Sequence, residues 1–178
     1  MARYVALLRA INVGGHVVAM EALRAHFTAL GFDDVETFIA SGNVLFSTGS
    51  TATASLTRRI EARLRDELEY DVATFLRTGQ EMAAVARHEP FSAAKVGAAS
   101  ALNVAFFAAP LDRRGRSLVS DLRTDIDDFH VHGRELYWLC RKNQSDSKFS
   151  NAALEKALGL RSTFRGINTV RRLAALMR

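Results

Sequence analysis

A chain of 178 residues with 48% hydrophobic and 24% charged residues can bury one sizeable core or two small ones. Two prolines and 11 glycines argue against a disordered or low-complexity chain, and no apolar run approaches the roughly 20 residues of a membrane-spanning helix. Cys140 is the single cysteine, so an internal disulfide is excluded and a cytoplasmic location is expected.

The N-terminus enters a β-like run directly, without a basic segment and small-residue cleavage site, so no secretory leader is expected. The formal charge of +5 is unevenly placed. Residues 141–178 carry nine Lys/Arg against Asp146 and Glu155. Such a basic segment attracts phosphates or nucleic acid; a solvated, arginine-rich helix surface is the alternative.

Tyr4 to Val13 reads as a strand. Met20, Leu23, Phe27 and Leu30 recur at helical spacing, and Gly31 is placed to cap that helix. Glu36 to Ser47 reads as two short strands around a two-residue turn at Gly42-Asn43. Leu56, Ile60, Leu64 and Leu68 mark a second helix, and Asp71 to Arg77 a closing strand. A short helix over Thr78 to Arg87 stops before Pro90, and the Ala/Gly/Ser-rich stretch 92–100 reads as a linker.

The order then begins again. Leu102 to Ala109 is a strand, and Pro110 is placed to start a helix that uses Leu111, Leu118 and Leu122. Asp128 to His132 and Leu136 to Cys140 form a hairpin around Gly133-Arg134, which sets Val131 opposite Leu136 and Phe129 opposite Trp138. A helix over Ser150 to Leu158 capped by Gly159, a strand near Arg161 to Arg165 and an extra helix over Thr169 to Met177 complete the chain.

Two βαββαβ runs in tandem predict an α+β protein of two ferredoxin-like (α/β-plait) domains with an additional C-terminal helix. The expected boundaries are 1–78, a helix and linker over 79–100, and 101–178. The first strand of each copy is apolar on both faces, which predicts that both sheet faces are covered in part.

Several segments are similar to the bacterial domain-of-unknown-function family 1697. They are Leu7 to Gly15, Met20 with Leu23, Leu30-Gly31-Phe32 with Val35, and Ile39 to Val44 with Phe46. Ser147-Lys148, Glu155 to Gly159, Thr163-Phe164-Arg165 and Asn168-Thr169-Val170 fit it as well. The resemblance spans nearly the whole chain and implies two ferredoxin-like domains. It implies no activity. The chain departs from the family pattern at Gly166 and Ile167, where Asn and an aromatic residue are expected.

Three places carry chemistry. Arg9 and Asn12 lie on a segment that otherwise reads as sheet core, and a buried arginine is costly unless something anionic meets it. With Gly14, Gly15, Ser41 and Asn43 they form a candidate ligand-binding corner, because the end of the first strand lies near the start of the antiparallel third. Turn chemistry and a carboxylate partner for Arg9 are the structural alternative.

The second candidate is Arg165, Asn168, Thr169 and Arg171. Asn168 reads as the N-cap of the last helix, and cations in its first turn oppose the helix dipole unless an anion binds there. The alternative is a capped surface helix with solvated arginines. The third is Asp128, His130 and His132, which alternate onto one strand face; with no partner ligand evident in sequence, no metal and no cofactor are expected. Cys140 is read as an inert core thiol.

P-loop, GxSxG, HExxH and GxGxxG motifs do not occur, and no catalytic residue is nominated. The expected function is binding of a phosphate-bearing partner, a small nucleotide-like ligand ahead of nucleic acid. The alternatives are an enzyme acting on a small phosphorylated substrate between the domains, with Arg9, Asn12 and Asn43 positioning it, and a protein-interaction module.

Overall fold

A computed structural model describes residues 1–12, 14–40 and 42–178. The fold is α+β, with two four-stranded antiparallel sheets and, among the described residues, seven α-helices. Among the described residues no helix is long and apolar enough to cross a membrane. The chain divides into two compact units, residues 1–83 with 173–178, and residues 84–172.

The first unit contains β1 (Ala2–Leu8), α1 (Met20–Ala29), β2 (Asp33–Thr37), β3 (Asn43–Thr48), α2 (Thr53–Leu68) and β4 (Thr74–Thr78), with the strands in the order β2-β3-β1-β4. α3 (Gly79–Arg87) follows. β1 is central, pairing Leu7 with Asn43 on β3 and Val5 with Arg77 on β4. Its alternate residues Tyr4, Ala6 and Leu8 join Leu23 and Phe27 of α1 and Leu56, Ile60 and Leu64 of α2 in one core. The i, i+4 spacing on α2 is what places its three leucine-type side chains on one stripe. Phe46 is the hub of an aromatic group, with its ring centroid 4.4 Å from Phe32 and 5.6 Å from Phe27.

Val5, Leu7, Leu45 and Phe75 on the other side of this sheet are also buried, which is why β1 does not alternate polar and apolar. Gly31, at φ 79°, follows α1 as expected and donates to Thr28 O. Gly79 opens α3 under a close constraint: a Cβ there would lie 2.8 Å from the backbone oxygen of Met177.

The second unit contains α4 (Ala93–Ala98), β5 (Ala101–Phe106), α5 (Arg113–Asp121), β6 (Asp127–His132), β7 (Glu135–Cys140), α6 (Asn151–Leu158) and β8 (Thr163–Gly166), with strand order β6-β7-β5-β8. α7 (Ile167–Leu176) ends the chain. The hairpin turns at Gly133-Arg134 with Gly133 at φ 59°, and it pairs Val131 with Leu136 and Phe129 with Trp138 as expected. Phe129, Leu136, Trp138 and Cys140 share one core with Val119 of α5, Leu154 of α6 and Phe149. Asp127 is buried at the start of β6, where it accepts hydrogen bonds from Trp138 Nε1 (2.8 Å), Ser147 Oγ (2.8 Å) and Thr124 Oγ1 (3.0 Å).

Four expectations about local structure need correction. Residues 93–98 form helix α4 rather than a structureless linker, because Ser92 caps it by accepting from Lys95 N. α5 starts after Asp112, whose side chain takes Gly115 N at 2.7 Å, and not at Pro110; this start buries Val119 where Leu118 was expected. β2 and β3 are joined by residues 38–42, not by a two-residue turn at Gly42-Asn43, because Phe38 N already bonds Asn43 O and Asn43 opens β3. α7 starts at Ile167 directly after β8, so Asn168 is its second residue and not its N-cap.

Candidate functional sites

Two polar constellations stand out, one in each unit. In the first unit the corner after β1 is built by the described residues of two loops, 9–12 with 14–19, and 38–40 with 42. Ladder bonds carry past the strand ends, from Leu8 N to Gly42 O (2.8 Å) and from Arg9 N to Ala73 O (2.9 Å). The Asn12 carboxamide then joins the loops. Its Nδ2 donates to Ala40 O at 2.9 Å, and its oxygen accepts from Val18 N at 2.8 Å. Gly42, at φ 80°, lies against the first loop so closely that a Cβ would fall 2.7 Å from Ile11 Cγ2 and 3.1 Å from Leu8 Cβ. Ile11 O accepts from Tyr70 Oη (3.2 Å), and the His16 ring stacks on Tyr70 at 3.9 Å.

The corner brings the predicted residues into distinct roles. Asn43 is fully buried and its Nδ2 donates to Phe38 O, so it is a structural residue of the hairpin. Asn12 is a clamp. Arg9 is half-buried, and Gly14 and Gly15 are exposed with φ 64° and 84° and open space around them. Ser41 and Val13 lie outside the described residues. Two non-glycine residues here adopt the left-handed region, Ala10 (φ 55°) and Ile39 (φ 51°). For the β-branched Ile39 this conformation is strained, by about 1–3 kcal/mol.

The second candidate does not assemble as expected. Arg165 on β8 is buried, and its Nη1 donates to Thr163 Oγ1 and to Phe164 O, both at 2.8 Å. Burial pulls its pKa down to about 10. Asn168 and Arg171 are exposed and Thr169 is half-buried on α7. Arg77 on β4 has the same environment as Arg165. Each pairs with the middle valine of its sheet's central strand, Val5 or Val104, and each donates to the carbonyl of the preceding residue at 2.8 Å. The buried arginine is therefore a repeated element of the frame.

The second constellation lies on β6 and the end of α3. Asp128, His130 and His132 share the strand face opposite the Phe129 core, as their spacing predicts. The structure adds His88, directly after α3. Donor atoms of His88, His130 and His132 all lie within 4.8 Å of one another. The His88 ring stacks on His132 at 3.9 Å and lies tilted by 55° to Tyr137 at 5.2 Å, and Tyr137 Oη donates to Val85 O at 2.8 Å. His88 Nε2 is buried with no hydrogen-bond partner.

Burial, then repulsion from His132 and His130, pushes the His88 pKa below the ordinary value. Burial also lowers that of His130. Asp128, whose charge partly offsets that lowering at His130, is held by Arg123 Nε at 3.0 Å and Lys95 Nζ at 3.6 Å. A surface groove of about 160 Å³ runs between α5 and β6, from Arg116, Ser120 and Arg123 to His130.

Sequence reasoning missed His88 because it lies 42 residues before His130. Its one signal was a histidine at the C-terminal end of a helix stopped by Pro90. Cys140 is buried with its thiol donating to Lys142 O, and desolvation raises its pKa, as an inert thiol requires.

No curated protein matches the chain. Among solved structures it is similar to the conserved bacterial protein SP0830 from Streptococcus pneumoniae, at 24% identity over 99% of each chain with a TM-score of 0.79. That likeness concerns the fold. The model of the family described as "Protein of unknown function (DUF1697)" matches residues 1–137, which include the whole first sheet, β5 and β6, the clamped corner and all three clustered histidines. The chain belongs to the DUF1697 family.

Proposed function

We propose that this protein is a binding module for a small phosphate-bearing ligand and that the corner formed by residues 9–19 and 38–42 receives it. The observation that carries the reading is the division of labour there. Asn12, Asn43 and Gly42 are consumed in fixing the two loops, while Gly14 and Gly15 are exposed and Arg9 is half-buried. A glycine pair in the left-handed region lets backbone N–H groups approach an anion closely, and Arg9 supplies the charge. The strained Ile39 and Ala10 support a preorganised site, since such strain persists where the surroundings fix it and clusters at ligand contacts.

A small ligand accords better with this corner than nucleic acid, because residues 9–19 and 38–42 hold Arg9 and no other Lys or Arg. The engagement of Asn12 and Asn43 in backbone hydrogen bonds gives the enzyme reading, in which they position a substrate, no added support. The strand orders support treating each unit as a ferredoxin-like βαββαβ module. The single buried, undisulfided cysteine accords with a soluble cytoplasmic protein.

A thermal-shift series with inorganic phosphate, nucleotides and sugar phosphates tests the reading. At least one of these is expected to raise Tm in proportion to occupancy, and Arg9→Ala is expected to abolish the shift while leaving the unliganded Tm within a few degrees. A shift that survives in Arg9→Ala, or none across the series, contradicts the reading.

A further inference from the structure

We propose that His88, His130 and His132 form a binding site for a divalent transition-metal ion of the Zn²⁺, Co²⁺ and Ni²⁺ class, with the remaining coordination positions open to water or a ligand. Three imidazoles from two elements converge, and their donor nitrogens lie within 4.8 Å of one another. Around a tetrahedral ion with bonds of about 2.05 Å, ligand nitrogens stand about 3.4 Å apart, so closure draws the donor atoms together by up to about 1.4 Å and requires one ring to turn.

The second, independent observation is His88 Nε2. It is buried and has no hydrogen-bond partner, although a buried polar atom is normally satisfied. A metal ion is the partner that such a nitrogen lacks. The donor set fixes the class: neutral imidazoles suit zinc, nickel, cobalt and copper, and the absence of a carboxylate among the three disfavours calcium and magnesium. Asp128, the nearest carboxylate along the strand, is engaged by Arg123 and Lys95.

One adjustment is required. The rings of His88 and His132 are stacked only 16° from parallel, so a single ion cannot lie in both ring planes. His132 is exposed and can turn, whereas His88 and His130 are half-buried. The two inner residues therefore define the site and His132 closes it. Because only neutral imidazole binds, affinity falls as the pH drops through the histidine range.

The full chain, stripped with chelator, is titrated with Zn²⁺ by calorimetry and with Co²⁺ by visible absorption. The expected result is one ion per chain, with Co²⁺ bands of a low-coordinate nitrogen site and an affinity reduced by more than about tenfold in His132→Ala and in His130→Gln. His132→Ala changes an exposed residue, so circular dichroism and Tm are expected to stay at the parent values. His16 and His26 are the remaining histidines, and the double variant His16→Ala/His26→Ala is expected to bind as the parent does. The proposal is overturned by no stoichiometric binding at micromolar metal, by unchanged affinity in the His132 and His130 variants, or by loss of binding in the His16/His26 variant alone.

Discussion

The two sheets repeat one frame and differ in what connects their second and third strands. Both orders run edge, third strand, first strand, fourth strand, and both bury an arginine on the fourth strand opposite a valine of the first. In the second unit the connection is a minimal turn, Gly133-Arg134, and the chemistry lies on the edge strand itself. In the first unit residues 38–42 replace that turn and pack on the loop after β1, held by Asn12 and by the Gly42–Ile11 contact. A repeated frame thus carries two different polar constellations, set by loop length in one copy and by three histidines in the other.

The sharpest way to break this contrast is to add one methyl group at each connection. Gly42→Ala forces a Cβ to 2.7 Å from Ile11 Cγ2 at a left-handed φ, and is expected to cost about 4 kcal/mol, combining overpacking with backbone strain. Gly133→Ala meets only the Glu135 carboxylate at 3.8 Å and carries the backbone term alone, about 1–2 kcal/mol. Urea denaturation of both variants checks the difference; equal losses would show that the two connections are packed alike.

The edge strands offer a second contrast. Asp127→Ala leaves the buried Trp138 N–H and the Ser147 and Thr124 hydroxyls without their acceptor, and is expected to cost about 3 kcal/mol. Asp33→Ala, at the exposed start of β2, is expected to stay within about 0.5 kcal/mol of the parent. Asn12→Ala removes both bonds of the clamp. Its expected cost is about 1–2 kcal/mol, with faster proteolytic cleavage in residues 9–19 than in the parent, followed by limited proteolysis.

The smallest expected effect is a pH dependence confined to the second unit's histidines. Below the ordinary value of 6.5 the unfolded chain protonates His88 and His130 before the folded chain does, because their folded pKa values are lowered. Their contribution to stability is therefore fully present above pH 6.5 and declines as the pH falls through and below it. His88→Gln is expected to flatten that decline in metal-free buffer, measured as Tm against pH; an unchanged slope would place the dependence elsewhere.

The repeated frame was legible in the sequence because its signals are local. Leu56, Ile60 and Leu64 declare their helix by spacing, and Phe129 and Val131 declare their partners once the turn at Gly133 is fixed. The connections were less legible. Gly42-Asn43 carries turn chemistry, yet the length of that loop depends on Gly42 packing against Ile11, 31 residues away in the chain. Asn168 has cap chemistry, but β8 passes into α7 at Ile167 without a separate cap position. Two of the three clustered histidines were visible as the alternation of His130 and His132. Its completion by His88 depends on where α3 ends in space, which no local pattern encodes.

The claim that one frame carries two separate sites is tested most directly by amide NMR on the full chain, titrated in turn with Zn²⁺ and with the phosphate ligand that shifts Tm most. The account predicts that Zn²⁺ moves resonances of residues 86–89 and 128–133 and leaves residues 9–17 and 38–43 in place, and that the phosphate ligand does the reverse. Both titrants moving one common set of residues, or neither moving a contiguous set, would contradict it.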